Sequence, residues 1–483
     1  MNHALLVGYW YPPATGAAAQ RLEAFARRLA AFGWRSTVLA AGSPAISTAP
    51  VVRVRDPFGD ASQFADYDWS PEPSGSPRLQ EPKGSHSPRE GARAAAPSVH
   101  RPRGGWLIPD RFFRWRRAAR RAARSLARDD RPDLVFVSFP PASAAALGVD
   151  LAQFFGVPLV VDFRDLWLGP GGYTPPTGLH RRVHERLERR VVAAASRLVA
   201  VSEKMAVHLA ERHHLPRDRV VVIPNGYEDG AATGAQSNRD RSPAAAADAS
   251  PTERVAAPNA PGGIVLAHVG TVIPRNRPDL FLNSIAVAPQ RDAWRRAGLR
   301  IRFVGNLAPA VTHRPEFAGL IETTGLVSAE ASRRAMQSAD ALLLLVGDYV
   351  GRWGHNAKAF EYLAAGRPIL CLEETPGSND RALLESLDSD RCLFARLGDP
   401  QAIAAAIDEL LRRAARGSER VHLAPRGDAA AAGSPPFQPV PLAELRGLSI
   451  YSRTALTRRL ATVFDEVIGA SGAGSTGTPP APP

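Results

Sequence analysis

Lys358 and Glu361 stand three positions apart, behind Gly354-His355-Asn356 and ahead of Gly366-Arg367-Pro368. That spacing places a cation and a carboxylate on one face of the first turns of a helix. A helix that opens just after a polar, glycine-containing loop offers unpaired N–H groups and the positive end of its dipole, a site suited to phosphate. The lysine suits a diphosphate and the carboxylate suits ribose hydroxyls. A surface Lys-Glu pair on an ordinary helix would use the same two residues, so the segment acquires meaning only from the rest of the chain.

Other positions offer matching chemistry. Gly16 falls where a strand turns into a helix, so the backbone there can approach a ligand closely. Arg275 and Arg277 follow a strand and precede a helix starting near Pro278, well placed to neutralise a diphosphate whose charge grows as a bond to it breaks. Asp162-Phe163-Arg164-Asp165 ends a buried strand, the edge at which α/β sheets bind ligands. Asp165 there could orient or deprotonate a hydroxyl, and Arg164 could pair with it or with phosphate. His180 and His184 lie nearby on an arginine-rich helix and read as structural. Asp388-Ser389-Asp390 has a metal-binding form by chance, His213-His214 lacks companion ligands at metal spacing, and no Walker A pattern occurs.

The elements that must position these residues alternate. Strand-like runs at 3–8, 36–40, 133–138, 158–162, 197–201 and 220–223 are interleaved with helical patterns at 17–32, 142–155 and from 203. A second series runs through 264–270, 301–305, 341–346 and 368–372. Continuous apolar runs such as Leu134-Val135-Phe136-Val137 suit strands buried on both faces, and alternation of this kind predicts doubly wound parallel sheets. The expected organisation is α/β, with Rossmann-like domains at 1–228 and 264–413 and a final helix within 440–468 that crosses back to brace the first domain. Low-complexity stretches at 59–105, 229–263 and 414–439, and a tail at 469–483, read as disordered.

Composition limits the function classes. The 483 residues carry a formal charge of +13 and are 45% hydrophobic. The positive charge is densest between 101 and 131, where Arg111, Arg114, Arg116, Arg117, Arg120, Arg121, Arg124 and Arg128 crowd a helix led by Trp106, Phe112, Phe113 and Trp115. Such a helix is either a solvated basic face or a contact with an anionic membrane through 106–128. No nucleic-acid motif accompanies the charge. No run of eighteen apolar residues occurs, the N-terminus reads as a strand rather than a signal peptide, and the two cysteines, Cys371 and Cys392, read as core. A cytoplasmic protein, possible partner of the inner face of the cell membrane, is expected.

In their order along the chain, several segments resemble the family 4 retaining glycosyltransferases of the GT-B fold, in which two Rossmann-like domains face each other across a cleft. The segments are Tyr11-Pro12-Pro13-Ala14-Thr15-Gly16-Ala17-Ala18-Ala19-Gln20-Arg21, Val161 to Trp167, Val199-Ala200-Val201-Ser202-Glu203, Val222-Ile223-Pro224-Asn225-Gly226-Tyr227, His268-Val269-Gly270-Thr271 and Lys358 to Pro368. The resemblance implies transfer of a hexose from a nucleotide diphosphate sugar to a sugar or lipid-linked acceptor with retention, in surface polysaccharide or glycolipid assembly. The leaving phosphate would help deprotonate the acceptor, and neither metal nor other cofactor is implied.

Residue by residue, the resemblance puts Arg277 and Lys358 in catalytic roles; Asp165 joins them from its place at a strand end, in a region where many relatives carry a histidine that is missing from this motif. The resemblance makes Gly16, Arg275, Arg277, Gly354, His355, Asn356, Lys358 and Glu361 donor-binding, with Glu361 on the ribose. The family's usual glutamate eight positions before Glu361 is Trp353 here, so Gly354 amides or the side chains of His355 and Asn356 would hold the sugar instead. A nucleotide-sugar epimerase of the same fold and a membrane-associated scaffold are the competing readings.

Overall fold

The computed structural model describes residues 1–14, 16–42, 50–57, 107–126, 130–229, 263–305, 314–422, 445 and 447–473. Strands β1 (Asn2–Val7), β2 (Trp34–Ala41), β3 (Val51–Val54), β4 (Leu134–Phe139), β5 (Leu159–Phe163), β6 (Arg197–Ala200) and β7 (Val220–Val222) form one sheet, ordered β3-β2-β1-β4-β5-β6-β7. A second sheet contains β8 (Ile264–Val269), β9 (Leu299–Val304), β10 (Ile321–Thr323), β11 (Ala341–Val346), β12 (Ile369–Glu373) and β13 (Cys392–Arg396), ordered β10-β9-β8-β11-β12-β13. Every pairing in both sheets is parallel.

Helices cover the faces. In the first domain these are α1 (Ala17–Arg28), α2 (Phe113–Leu126), α3 (Ala142–Phe155), α4 (Gly178–Ala194) and α5 (Glu203–His213). The second has α6 (Pro278–Val287), α7 (Arg291–Arg296), α8 (Ala329–Ser338), α9 (Asp348–Trp353), α10 (Ala357–Ala365), α11 (Asn379–Asp388) and α12 (Pro400–His422). Because helices cover both sides, β4 and β11 are buried at every position, which explains their unbroken apolar runs. The chain order reverses between β1 and β4 in one sheet and between β8 and β11 in the other. Ligands of such sheets bind outside the carboxyl ends of the strands at these switch points, where Gly16, Gly270 and Gly347 lie.

The last helix, α13 (Arg453–Ala473), returns to the first domain. Leu456, Leu460, Phe464 and Val467 join the cluster containing Leu6, Phe25, Trp34 and Phe136. The two chain crossings between domains run side by side: Tyr227 N–H donates to the Tyr451 carbonyl at 3.2 Å, and Arg453 N–H to the Tyr227 carbonyl at 3.0 Å.

Three expectations change. Helix α12 runs on to His422, so the segment taken as linker from 414 begins inside it, while 423–439 lies outside the described residues. Helix α13 extends to Ala473, past the end expected at 468; the rest of the tail, and the segments 59–105 and 230–262, are likewise not described. Two of the aromatics leading α2 do not face outward. Phe112 and Trp115 are fully buried, with ring centroids 4.2 and 5.1 Å from Tyr9. Apolar rings at helical spacing beside arginines mark the core-facing stripe, and it is Arg114, Arg117, Arg120, Arg121 and Arg124 that are exposed. Trp106, Ala127 and Arg128 fall outside the described residues.

Candidate functional site

Helix α10 begins at Asn356, whose side-chain oxygen accepts the Lys358 N–H at 3.4 Å while its Nδ2 donates to the Leu345 carbonyl at 3.3 Å. That carbonyl, near the end of β11, also accepts from Asn276 Nδ2 at 3.4 Å. One backbone oxygen thus fixes both the start of α10 and the turn carrying Arg275 and Arg277. The turn passes so close to Gly347 that a Cβ there would lie 1.7 Å from the Arg275 carbonyl oxygen. Arg277 itself adopts φ 51°, a conformation non-glycine residues rarely accept.

Lys358 extends across Gly270 and donates to the Thr271 carbonyl at 3.3 Å. Gly270 has φ 118°, which favours glycine, and Lys358 passes so close over it that a Cβ there would lie 2.6 Å from Lys358 Cε. Burial lowers the Lys358 pKa and raises that of Glu361. Each charge opposes the other's shift, as does Arg453 for Glu361. Glu361 faces a cavity of about 340 Å³ between the domains, lined also by Gln20, Arg27, Glu228, Gly270, Arg333 and Arg453. That volume lies in the range of small-molecule sites. Arg453 is held there by Glu228 and by Gln20, each at 3.1 Å.

The other candidates divide. Arg277 turns towards Glu374, at 2.5 Å, and Asp279, at 3.1 Å. Those partners raise its pKa. Arg275 reaches across the cleft to within 3.7 Å of Asp165. The side chain of Asn356 is occupied as the helix cap. His355 lies against Phe360 with its Nδ1 3.7 Å from Asp380, and the Asp380 carboxylate accepts the Asn356 N–H at 2.9 Å. The Gly354 N–H goes to the Val350 carbonyl at 2.9 Å, and its carbonyl accepts from Asn379 at 3.0 Å. Gly16, at φ 103°, opens α1 with its carbonyl accepting the Gln20 N–H at 3.1 Å. The site around Gly270 therefore gathers Lys358, Glu361 and the Arg275–Arg277 turn, with Asp165 facing them from the first domain.

Two cleft residues, Arg21 and Tyr349, were given no role by sequence reasoning, whereas Arg164 and Trp353 were noted there. Arg21 is buried and grips Asp162 at 2.9 Å and the Ile223 and Pro224 carbonyls at 2.8 and 2.7 Å. Arg164 is held by Ser138 and the Pro140 carbonyl. Trp353, in place of the expected glutamate, turns to the first domain: its ring meets His208 and its carbonyl accepts from Ser202 Oγ at 2.6 Å. Tyr349 crosses the same boundary, its hydroxyl accepting the Leu166 N–H at 3.0 Å. The signal for Tyr349 was its position just beyond the end of β11, and for Arg21 its place on α1, the first helix after β1. Among the described residues no cluster of His, Cys, Asp and Glu could hold a metal, and no helix is long and apolar enough to cross a membrane. His213 instead pairs with Glu188, and Asp388 with Arg391.

Comparison with known proteins agrees with this architecture. Residues 16–226 match the glycosyl transferase 4-like domain. A D-inositol 3-phosphate glycosyltransferase of Nocardia farcinica is 28% identical over 198 residues, covering 38% of this chain and 39% of the relative. Another from Salinispora arenicola is 31% identical over 191 residues, covering 38% and 41%. The match thus spans about two fifths of the length of these relatives. Among solved structures, sucrose-phosphate synthase of Thermosynechococcus elongatus superposes with a TM-score of 0.58 at 13% identity, over 97% of this chain and 100% of that one. Anabaena HepE in complex with UDP gives 0.54 at 12%, over 96% and 100%. WaaG, a glycosyltransferase involved in lipopolysaccharide biosynthesis, gives 0.52 at 13%, over 98% and 100%. Identities this low speak to fold alone. Residues 16–226 thus resemble the glycosyl transferase 4-like domain, and the two domains of the chain have the GT-B fold.

Proposed function

We propose that the protein is a glycosyltransferase that moves a hexose from a nucleoside diphosphate sugar to an acceptor, with retention of anomeric configuration. The observation that carries this reading is that Lys358 and the turn bearing Arg275 and Arg277 lie at one switch point, while Glu361, one helical turn from Lys358, lines a 340 Å³ cavity. Lys358 and the two arginines, with the dipole of α10, meet a diphosphate whose negative charge grows as the glycosidic bond breaks. Glu361 accepts from ribose hydroxyls. Asp165, at the edge of β5, orients the acceptor hydroxyl, and the departing phosphate takes its proton on the same face.

The curated relatives named D-inositol 3-phosphate glycosyltransferases support a polar, sugar-like acceptor. The exposed arginines of α2 support work at the inner face of the membrane, on a lipid-linked acceptor in polysaccharide or glycolipid assembly. Thermal unfolding with a panel of nucleoside diphosphates and their sugars, UDP first, tests the donor site. A ligand at one hundred times its dissociation constant adds about 2.7 kcal/mol of stability, a readable rise in Tm. The rise should appear with one base and vanish in Glu361→Ala. No rise with any base removes the donor assignment.

A further inference from the structure

Tyr349 stands at the start of the second domain's α9 but is packed into the first. A Cβ on Gly171 would come within 2.3 Å of its ring, so the loop after β5 is shaped around it. Its hydroxyl accepts the Leu166 N–H at 3.0 Å and lies close enough to the Asp165 carboxylate to feel its charge. Burial, aided by that carboxylate, raises the phenol's pKa and keeps the group an O–H. On its other side the ring carries the Arg275 guanidinium, 4.4 Å from the centroid. Arg275 Nη1 in turn lies 3.7 Å from Asp165 Oδ1. Donor-side guanidinium, acceptor-side carboxylate and one tyrosine thus form a closed triangle across the cleft.

Resting on the donor-site reading above, we infer that Asp165 and a donor diphosphate compete for Arg275, with Tyr349 the positioning residue that holds both partners of the exchange. Without donor, Asp165 is neutralised by Arg275 and its oxygens are turned from an acceptor. A diphosphate carries more charge than one carboxylate and takes the guanidinium, which stays on the Tyr349 ring as it turns. Asp165 then stays beside the Tyr349 O–H and presents its lone pairs to an acceptor hydroxyl. The acceptor site is completed only when the donor site is filled, so donor binds first. The family match does not specify this coupling, since Tyr349 lies outside the matched residues 16–226.

Binding of UDP and GDP measured by calorimetry, on the full chain, tests this. Asp165→Asn removes the competing charge. It should tighten nucleotide binding about two- to fivefold, the size of one partly exposed ion pair. In an Arg275→Ala background the same substitution should change nothing, because the coupling is carried by that pair. Equal affinity of wild type and Asp165→Asn, with Arg275→Ala weakened, would overturn the competition and leave the donor site standing. An equal gain in both backgrounds would also overturn it, as a general charge effect. Binding of neither nucleotide by wild type or Asp165→Asn would bring down both the exchange and the donor reading. Tyr349→Phe keeps the ring and loses the hydroxyl: nucleotide affinity should hold while hydrogen exchange at Leu166 quickens. Unchanged exchange there would remove Tyr349 from the positioning role.

Discussion

His268 sits on β8, two residues before Gly270, with its Nδ1–H against the Leu343 carbonyl at 3.0 Å. Burial, reinforced by the nearby Lys358 ammonium, pushes its pKa down to about 3. His184 is lowered to about 4, again chiefly by burial, and accepts the Trp167 indole N–H at 3.0 Å. An unfolded imidazole takes its proton near pH 6.5, whereas these folded ones stay neutral well below that. Between those values the unfolded state binds more protons, so stability is full above about pH 6.5 and is lost as pH falls. Each histidine should cost about 2 kcal/mol between pH 6.5 and 5. Urea unfolding at both pH values checks this: His268→Asn should flatten the dependence, and an unchanged slope would show the imidazole is protonated in the fold. Which side chains would matter was legible where partners are close in sequence. Lys358 and Glu361 are one helical turn apart, and their shared face follows from the backbone. The pairing of Arg275 with Asp165 and Tyr349 was not, because it exists only once two domains are placed together.

Elements were legible according to how completely they are buried. Strands β4 and β11 announce themselves by apolar runs, whereas β3 and β10 are edge strands with no fully buried face and show no such run. Helix α10 was placed by its polar start and its Gly-Arg-Pro end, and Gly366 does adopt the left-handed φ of 68° that closes it. In sequence Asn356 suits either a cap or a ligand contact, and the structure shows its side chain capping α10. The geometry gives Asn356 a measurable structural duty. It is 8% exposed and makes both a capping acceptor bond and a donor bond to Leu345. Asn356→Ala should therefore lower stability by about 1–2 kcal/mol. Asn356→Asp keeps the cap but not the donor, and should lose less. Thermal unfolding of the two variants distinguishes them; equal losses would mean that the Leu345 bond, not the cap, fixes the helix start.

At the scale of the whole molecule, the sequence order of two Rossmann-like series was enough to predict two sheets, and a helix left over after the second series suggested one that returns. What it returns to depends on side chains far apart in the chain. Phe464 is fully buried, with its ring 5.1 Å from Trp34 and 5.7 Å from Phe136, and Asp465 accepts the Trp34 indole N–H at 2.8 Å. The first domain's core is thus completed by the last helix of the chain, so its stability should depend on residues more than 400 positions from β1. Phe464→Ala removes a large ring from a packed site and should cost about 3–5 kcal/mol. If α13 is integral to that core, hydrogen exchange in β1 and α1 rises along with exchange in α13, and Trp34 fluorescence reports unfolding at lower urea. Were α13 only a brace laid on a finished domain, exchange would rise in α13 alone and β1 would keep its protection. Burial of Leu456, Leu460 and Val467 beside Phe464 favours the first outcome, because all four pack into the same cluster as Leu6 of β1 and Phe136 of β4.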